Sequence, residues 1–111
     1  VAIARPLEID RQLDGSSARL TLRGELDIAT VPRLQEAVGA VLAHSPSEVT
    51  IDLRSLSFMD SSGLREFIVL ADRAQEEGWR LLLVRPAAPA LSIFQITRAE
   101  ENLPFVDEPP R

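Results

Sequence analysis

The sequence predicts an α/β domain: a mixed four- to five-stranded sheet with crossover helices, in the order β-β-α-β-α-β-α-β. Three observations predict it. Near the N-terminus, Asp14-Gly15 separates two runs of alternating apolar and polar residues, the pattern of an antiparallel hairpin. After that, short strand-like runs alternate with segments of helical period, which implies crossovers onto one sheet. The chain has 111 residues, the length of one domain rather than two, and no repeat or linker divides it.

Each element has its own signal. Leu7, Ile9 and Leu13 begin the first strand, although Arg11 and Gln12 interrupt the alternation. Leu20 and Leu22 alternate with Arg19, Thr21 and Arg23 in the second. Gly24-Glu25-Leu26-Asp27 closes that strand and opens a loop, with Thr30 as an N-cap and Pro32 in a first turn. Val31, Leu34, Val38, Val41 and Leu42 predict a helix over 31–43, which His44-Ser45-Pro46-Ser47 ends. Val49, Ile51 and Leu53 make a third strand, followed by a loop holding Leu56, Phe58 and Met59. Leu64, Phe67, Ile68, Ala71 and Ala74 share one face of a second helix, and Gly78 is its C-cap. Residues 79–84 form an apolar strand, central and buried on both faces. Pro86 and Pro89 frame a third helix carrying Leu91, Phe94 and Ile96. Leu103 to Val106 reads as an edge strand, and about 107–111 as a frayed tail.

Composition narrows the function. Aromatics are 5% of the chain, so its core must be aliphatic. The net charge is -5 and every basic residue but His44 is Arg, which argues against direct nucleic-acid or membrane binding. With no Cys and a single His, no thiol nucleophile, disulfide or Cys/His metal cluster can form, and a reducing cytoplasm fits. No apolar run reaches the ~18 residues of a membrane span. Val1-Ala2-Ile3-Ala4-Arg5 lacks the pattern of a signal peptide.

The informative segment is Phe58-Met59-Asp60-Ser61-Ser62-Gly63-Leu64. It places a carboxylate and two hydroxyls where a strand ends and a helix begins. The first N–H groups of a helix have no internal partner, so they take a side-chain acceptor or an anion. The residues alone therefore give a capped helix start that could also hold phosphate. An enzyme reading would make Ser61 or Ser62 a nucleophile, His44 its base and Asp27 or Asp60 the orienting group. No Gly-x-Ser-x-Gly elbow is present, and His44 belongs to the far end of the first helix, so the expectation is a non-enzyme. No Walker loop with Lys exists, so any nucleotide site at 61–64 would be weak.

Three landmarks together resemble the STAS family, named for sulfate transporters and anti-sigma factor antagonists. They are Gly24-Glu25-Leu26-Asp27, the pair Asp52-Leu53 followed by Asp60-Ser61-Ser62-Gly63-Leu64, and Leu83-Val84-Arg85-Pro86. The resemblance implies a free-standing STAS domain over 1–111 acting as an anti-sigma factor antagonist. It would bind an anti-sigma factor serine kinase when unphosphorylated and leave on phosphorylation of Ser61, with Ser62 the second choice. A metal-dependent serine phosphatase would reset it. By the same resemblance the partner-binding residues are Asp27, Ile28, Asp60, Ser61, Ser62, Gly63 and Leu64, with no resident cofactor or metal. The alternative is a STAS subunit that binds partners without phosphorylation, as a scaffold, stress-sensing or lipid-transport accessory. Two stretches depart from the family's pattern: Arg65-Glu66-Phe67 is bulkier and more charged, and Ile96-Thr97-Arg98-Ala99 replaces a Leu-Thr-Gly-Leu run.

Overall fold

Each strand of the sheet lies beside its neighbour in sequence, giving the order β1-β2-β3-β4-β5 in a computed structural model that describes residues 7–110. β1 (Glu8–Asp14) and β2 (Ser17–Leu26) form the expected antiparallel hairpin, turned at Gly15, whose φ of 59° suits glycine. β3 (Glu48–Met59), β4 (Arg80–Val84) and β5 (Phe105–Val106) follow in parallel. α1 (Val31–Leu42), α2 (Ser61–Glu77) and α3 (Ala90–Ile96), the last followed by a 3-10 turn at Ala99–Glu101, make the crossovers. Strands added at one edge by right-handed crossovers bring all three helices to the same face.

The core lies between that face and the helices. Ala18, Leu20 and Leu22 of β2 and Val49, Ile51 and Leu53 of β3 meet Leu34, Val38 and Val41 of α1. Leu64, Phe67, Leu70 and Ala74 keep α2 seated by their helical spacing; Ile68, expected on that face, is 43% exposed, because the seam turns toward Leu70 instead. Phe94 sits edge-on to Phe105, with centroids 4.9 Å apart, and tilted to Phe67 at 6.1 Å. Gly78 closes α2 in the left-handed conformation, its N–H donating to the Ala74 carbonyl.

Among the described residues, the other face of the sheet carries no helix. Across it Arg19, Thr50 and Leu82 stand in register, as do Thr21, Asp52 and Val84. Thr50, Asp52, Leu82 and Val84 are nevertheless buried. Residues 107–110, expected as part of a frayed tail, have no regular structure but are tied to the fold along this face, where Arg19 Nη2 donates to the Pro110 carbonyl at 3.1 Å; Arg85 pairs with Asp107 beside them. Burial works to raise the pKa of Asp52, but the hydrogen bonds and charge of Arg54 outweigh it and hold the carboxyl below its usual value.

Several boundaries differ from expectation. The loop expected after Arg54, holding Leu56, Phe58 and Met59, is strand: β3 continues to Met59 beside β2, through two shifts of register near Thr21 and Gly24. α1 ends at Leu42, and β4 starts at Arg80 rather than Trp79. β5 is only Phe105–Val106. Thr30 stands at the N-cap of α1, but its hydroxyl makes no cap hydrogen bond. Ile96, expected to carry a buried face of α3, is 82% exposed. The segment Val1–Arg5 and residue Arg111 lie outside the described residues. Among the described residues no helix is long and apolar enough to cross a membrane.

Candidate functional site

The β2–α1 turn and the start of α2 meet at the rim where the parallel strands end. Leu26 and Met59, the last residues of β2 and β3, are paired, and Asp60 N–H donates to the Leu26 carbonyl at 3.2 Å. Two segments far apart in sequence are thereby fixed side by side.

Each segment is shaped by an aspartate. Asp27 Oδ1 accepts from the N–H groups of Ala29 and Thr30 at 2.9 and 3.0 Å, a local turn of the kind Asp favours. Thr30 Oγ1 answers by accepting from Asp27 N–H at 2.9 Å and donating to the Glu25 carbonyl at 3.0 Å. This turn pushes Ile28 outward, 77% exposed, an apolar side chain without cover. Asp60 is the N-cap of α2: its Oδ1 accepts from Ser62 N–H at 2.8 Å and from Gly63 N–H at 3.3 Å.

Ser61 is the first residue of α2 and is exposed, and its hydroxyl makes no hydrogen bond among the described residues. Ser62 is half-buried beside it. Gly63 and Leu64 turn inward instead. A Cβ on Gly63 would stand 2.6 Å from Met59 Cγ and 3.0 Å from Leu26 Cδ2, so this glycine sets how closely α2 approaches the strand ends. Of the seven residues singled out in the sequence, five thus form the rim surface and two support it from beneath.

Phe58 and Thr30 were not among the seven. Phe58, 44% exposed, pairs with Glu25 at the same rim, and Thr30 locks the Asp27 turn. An aromatic adjacent to the inward Met59 on a strand must face the other way, and that alternation was the signal. Glu66 is a buried carboxylate that accepts from Gln35 Nε2 at 2.9 Å and ties α1 to α2. His44 follows α1 at the opposite end of the sheet from Ser61, because α1 runs from the end of β2 back to the start of β3. Among the described residues, His44 and Ser61 are not brought together.

The model of the family described as "Mlab, STAS domain" matches residues 9–106. The chain belongs to the STAS family. Its relatives include the anti-sigma-F factor antagonist RsfB of Mycobacterium tuberculosis, 38% identical over 61 residues. That match covers 55% of this chain and 48% of RsfB, so it spans about half the length of this relative. The anti-sigma-B factor antagonist of Bacillus subtilis is 26% identical over 91 residues, covering 82% of this chain and 83% of its own. Among solved structures, an anti-sigma factor antagonist from Mycobacterium paratuberculosis superposes with a TM-score of 0.75 at 26% identity, over 92% of this chain and 86% of that one. Unphosphorylated SpoIIAA, an anti-sigma factor antagonist, gives 0.76 at 19% identity, over 92% and 89%, and shows the shared fold. The mixed five-stranded sheet with three crossover helices is the STAS fold.

Proposed function

We propose that this STAS domain, taken as one unit over residues 1–111, is a cytoplasmic anti-sigma factor antagonist whose partner-binding rim is switched by phosphorylation of Ser61. The observation that carries the reading is an exposed, unengaged Ser61 hydroxyl on the first turn of an Asp60-capped helix, beside the protruding Ile28. Asp27, Ile28, Phe58, Asp60, Ser61 and Ser62 make the docking surface, and Gly63 and Leu64 hold it in shape. The relatives' names point the same way. An anti-sigma factor serine kinase is the partner, a metal-dependent serine phosphatase resets the cycle, and the domain itself does no catalysis.

A phosphate adds about -1.5 to -2 charges at neutral pH. The donors of Ser62 and Gly63 already serve Asp60, so a phosphate on Ser61 stands outside the cap, one helical turn from Arg65. New negative charge beside Asp27 and Asp60, in a desolvated contact, costs several kcal/mol against a partner of like sign and breaks the complex.

The test is to incubate the protein with ATP and a soluble extract of its source, measure intact mass, map the modified peptide and capture the kinase. The expected result is one phosphate on Ser61, absent in Ser61→Ala, and loss of kinase binding by the phosphorylated form. No phosphate, in an extract that modifies a known antagonist, overturns the switch. It would leave a STAS subunit that binds its partner constitutively.

A further inference from the structure

Arg73 of α2 pairs with Glu77, one turn on. Arg65, about two turns earlier on the same helix, has no such neighbour. The residues three and four positions from it are Ser61, Ser62, Ile68 and Val69, with no carboxylate among them. Its side chain is exposed, and among the described residues it forms no ion pair. Packing accounts for the two residues that follow it: Glu66 accepts from Gln35, and Phe67 fills the core. It does not account for a cation at 65.

The position relative to Ser61 does. Side chains at i and i+4 of a helix lie on one face with Cβ atoms about 5–6 Å apart, and an ion pair there is best with the anion on the N-terminal side. Ser61 and Arg65 have that spacing and that order on α2. Ser62 is half-buried, so Ser61 is the hydroxyl better placed to present a phosphate. The donors at the helix start are taken, since Asp60 Oδ1 accepts from Ser62 N–H and Gly63 N–H. The other charges around this place are negative or engaged. Asp27 and Asp60 shape the rim, and Glu25 pairs with Phe58 beside them. On α1, Gln35 faces α2, whereas Arg33 lies toward β1 with Ile9 and Arg11. Arg98, across the groove from Leu64 and Ile68, pairs with Glu101.

We propose that Arg65 is the receiver of the Ser61 phosphate: its guanidinium closes over the phosphoryl oxygens from one turn along α2 and keeps the group doubly ionised. This deepens the Ser61 switch and rests on phosphorylation at that residue. A phosphoserine has a second pKa of about 6, and carboxylates beside it push that value up. An arginine in charge-assisted, bidentate contact opposes Asp27 and Asp60 and holds it down. The repulsion that expels the partner then persists in mild acid, where an unclasped phosphate would take up a proton. The rim also changes twice over: it gains the phosphate and loses a free guanidinium.

Phosphoserine can be built into position 61 during synthesis through an expanded genetic code, so the test needs no kinase. Phosphorus NMR of that protein, titrated through about pH 6, reads the second pKa. Arg65→Gln should raise it by about 0.5 pH unit, the size expected of an exposed pair, and Arg65→Lys by less. Arg73→Gln, another exposed charge of α2, is the control and should leave it unchanged. The Arg65 Nε–H signal in nitrogen NMR should move with the same midpoint as the phosphate. Equal pKa values in the parent and Arg65→Gln proteins overturn the clasp, as do an equal rise in the control or an Arg65 signal that ignores the titration. The titration gives its answer whether or not an extract modifies Ser61, so failure of the clasp and failure of the switch are told apart.

Discussion

Replacing Gly63 by alanine sets two opposing effects against each other. Glycine in a helix is worse than alanine by about 0.5–1 kcal/mol, so propensity alone makes Gly63→Ala stabilising. The new methyl, however, would sit 2.6 Å from Met59 Cγ and 3.0 Å from Met59 Sδ and Leu26 Cδ2. Met59 and Leu26 are 5% and 0% exposed, so neither can swing into solvent. Overpacking of this kind costs about 1–3 kcal/mol. The balance is a loss of about 0.5–2 kcal/mol, read as a lower urea midpoint by far-UV circular dichroism. Shortening the neighbour isolates the cause. Met59→Ala alone should cost about 2–5 kcal/mol. In the Gly63→Ala background its cost should fall by about 1 kcal/mol, because the clash is relieved. A stabilised Gly63→Ala, or additive energies in the double variant, would refute the close approach as the reason for glycine.

Asp60→Ala removes the acceptor for two N–H groups and should cost about 1 kcal/mol in urea unfolding, while Asp60→Asn, still a good cap, should cost less. Asp52 has a folded pKa below its unfolded value of about 3.9, so its stabilisation is full above that pH and is lost as pH falls through the folded pKa. Below about pH 4 the wild-type urea midpoint should therefore fall more steeply with acid than that of Asp52→Asn; parallel curves would contradict the depressed pKa. Ile28→Ser should leave stability within about 0.5 kcal/mol, since the side chain is exposed, and should weaken capture of the partner.

The sequence made the fold legible wherever one period held over a whole element. The Asp14-Gly15 hairpin, Leu64, Phe67 and Ala74 on the seam of α2 and its Gly78 stop follow directly from spacing and turn chemistry, whereas Ile68 was placed on that seam and Leu70 holds it. β3 failed past Arg54 because the shifts of register against β2 break the alternation, and the stretch holding Leu56, Phe58 and Met59 then reads as loop. α3 is seven residues, under two full turns, too short for periodicity to show which side Ile96 takes. At the site, Asp60-Ser61-Ser62 was recognisable as a capped helix start, but which side chain caps it was not; Asp60 does. The inward turn of Gly63 was not, because it depends on Met59 and Leu26 arriving from two strands. Thr30 has the composition of a cap, yet its hydroxyl is captured by the Asp27 turn. The cover on the helix-free face lies still further from local pattern, since a four-residue crossing has no period.

The sheet whose spatial order equals its order in the chain has a consequence for biosynthesis. The β1–β2 hairpin is complete before any later strand is made, and each new strand needs only the one made just before it as a template. No early strand must wait with both edges open for a partner from the far end of the chain. Such a domain can grow outward from its N-terminal hairpin as it leaves the ribosome, at about 5–20 residues per second. The rim bearing Ser61 is assembled once β3 and α2 have emerged. Of these strands, the short β5 emerges last.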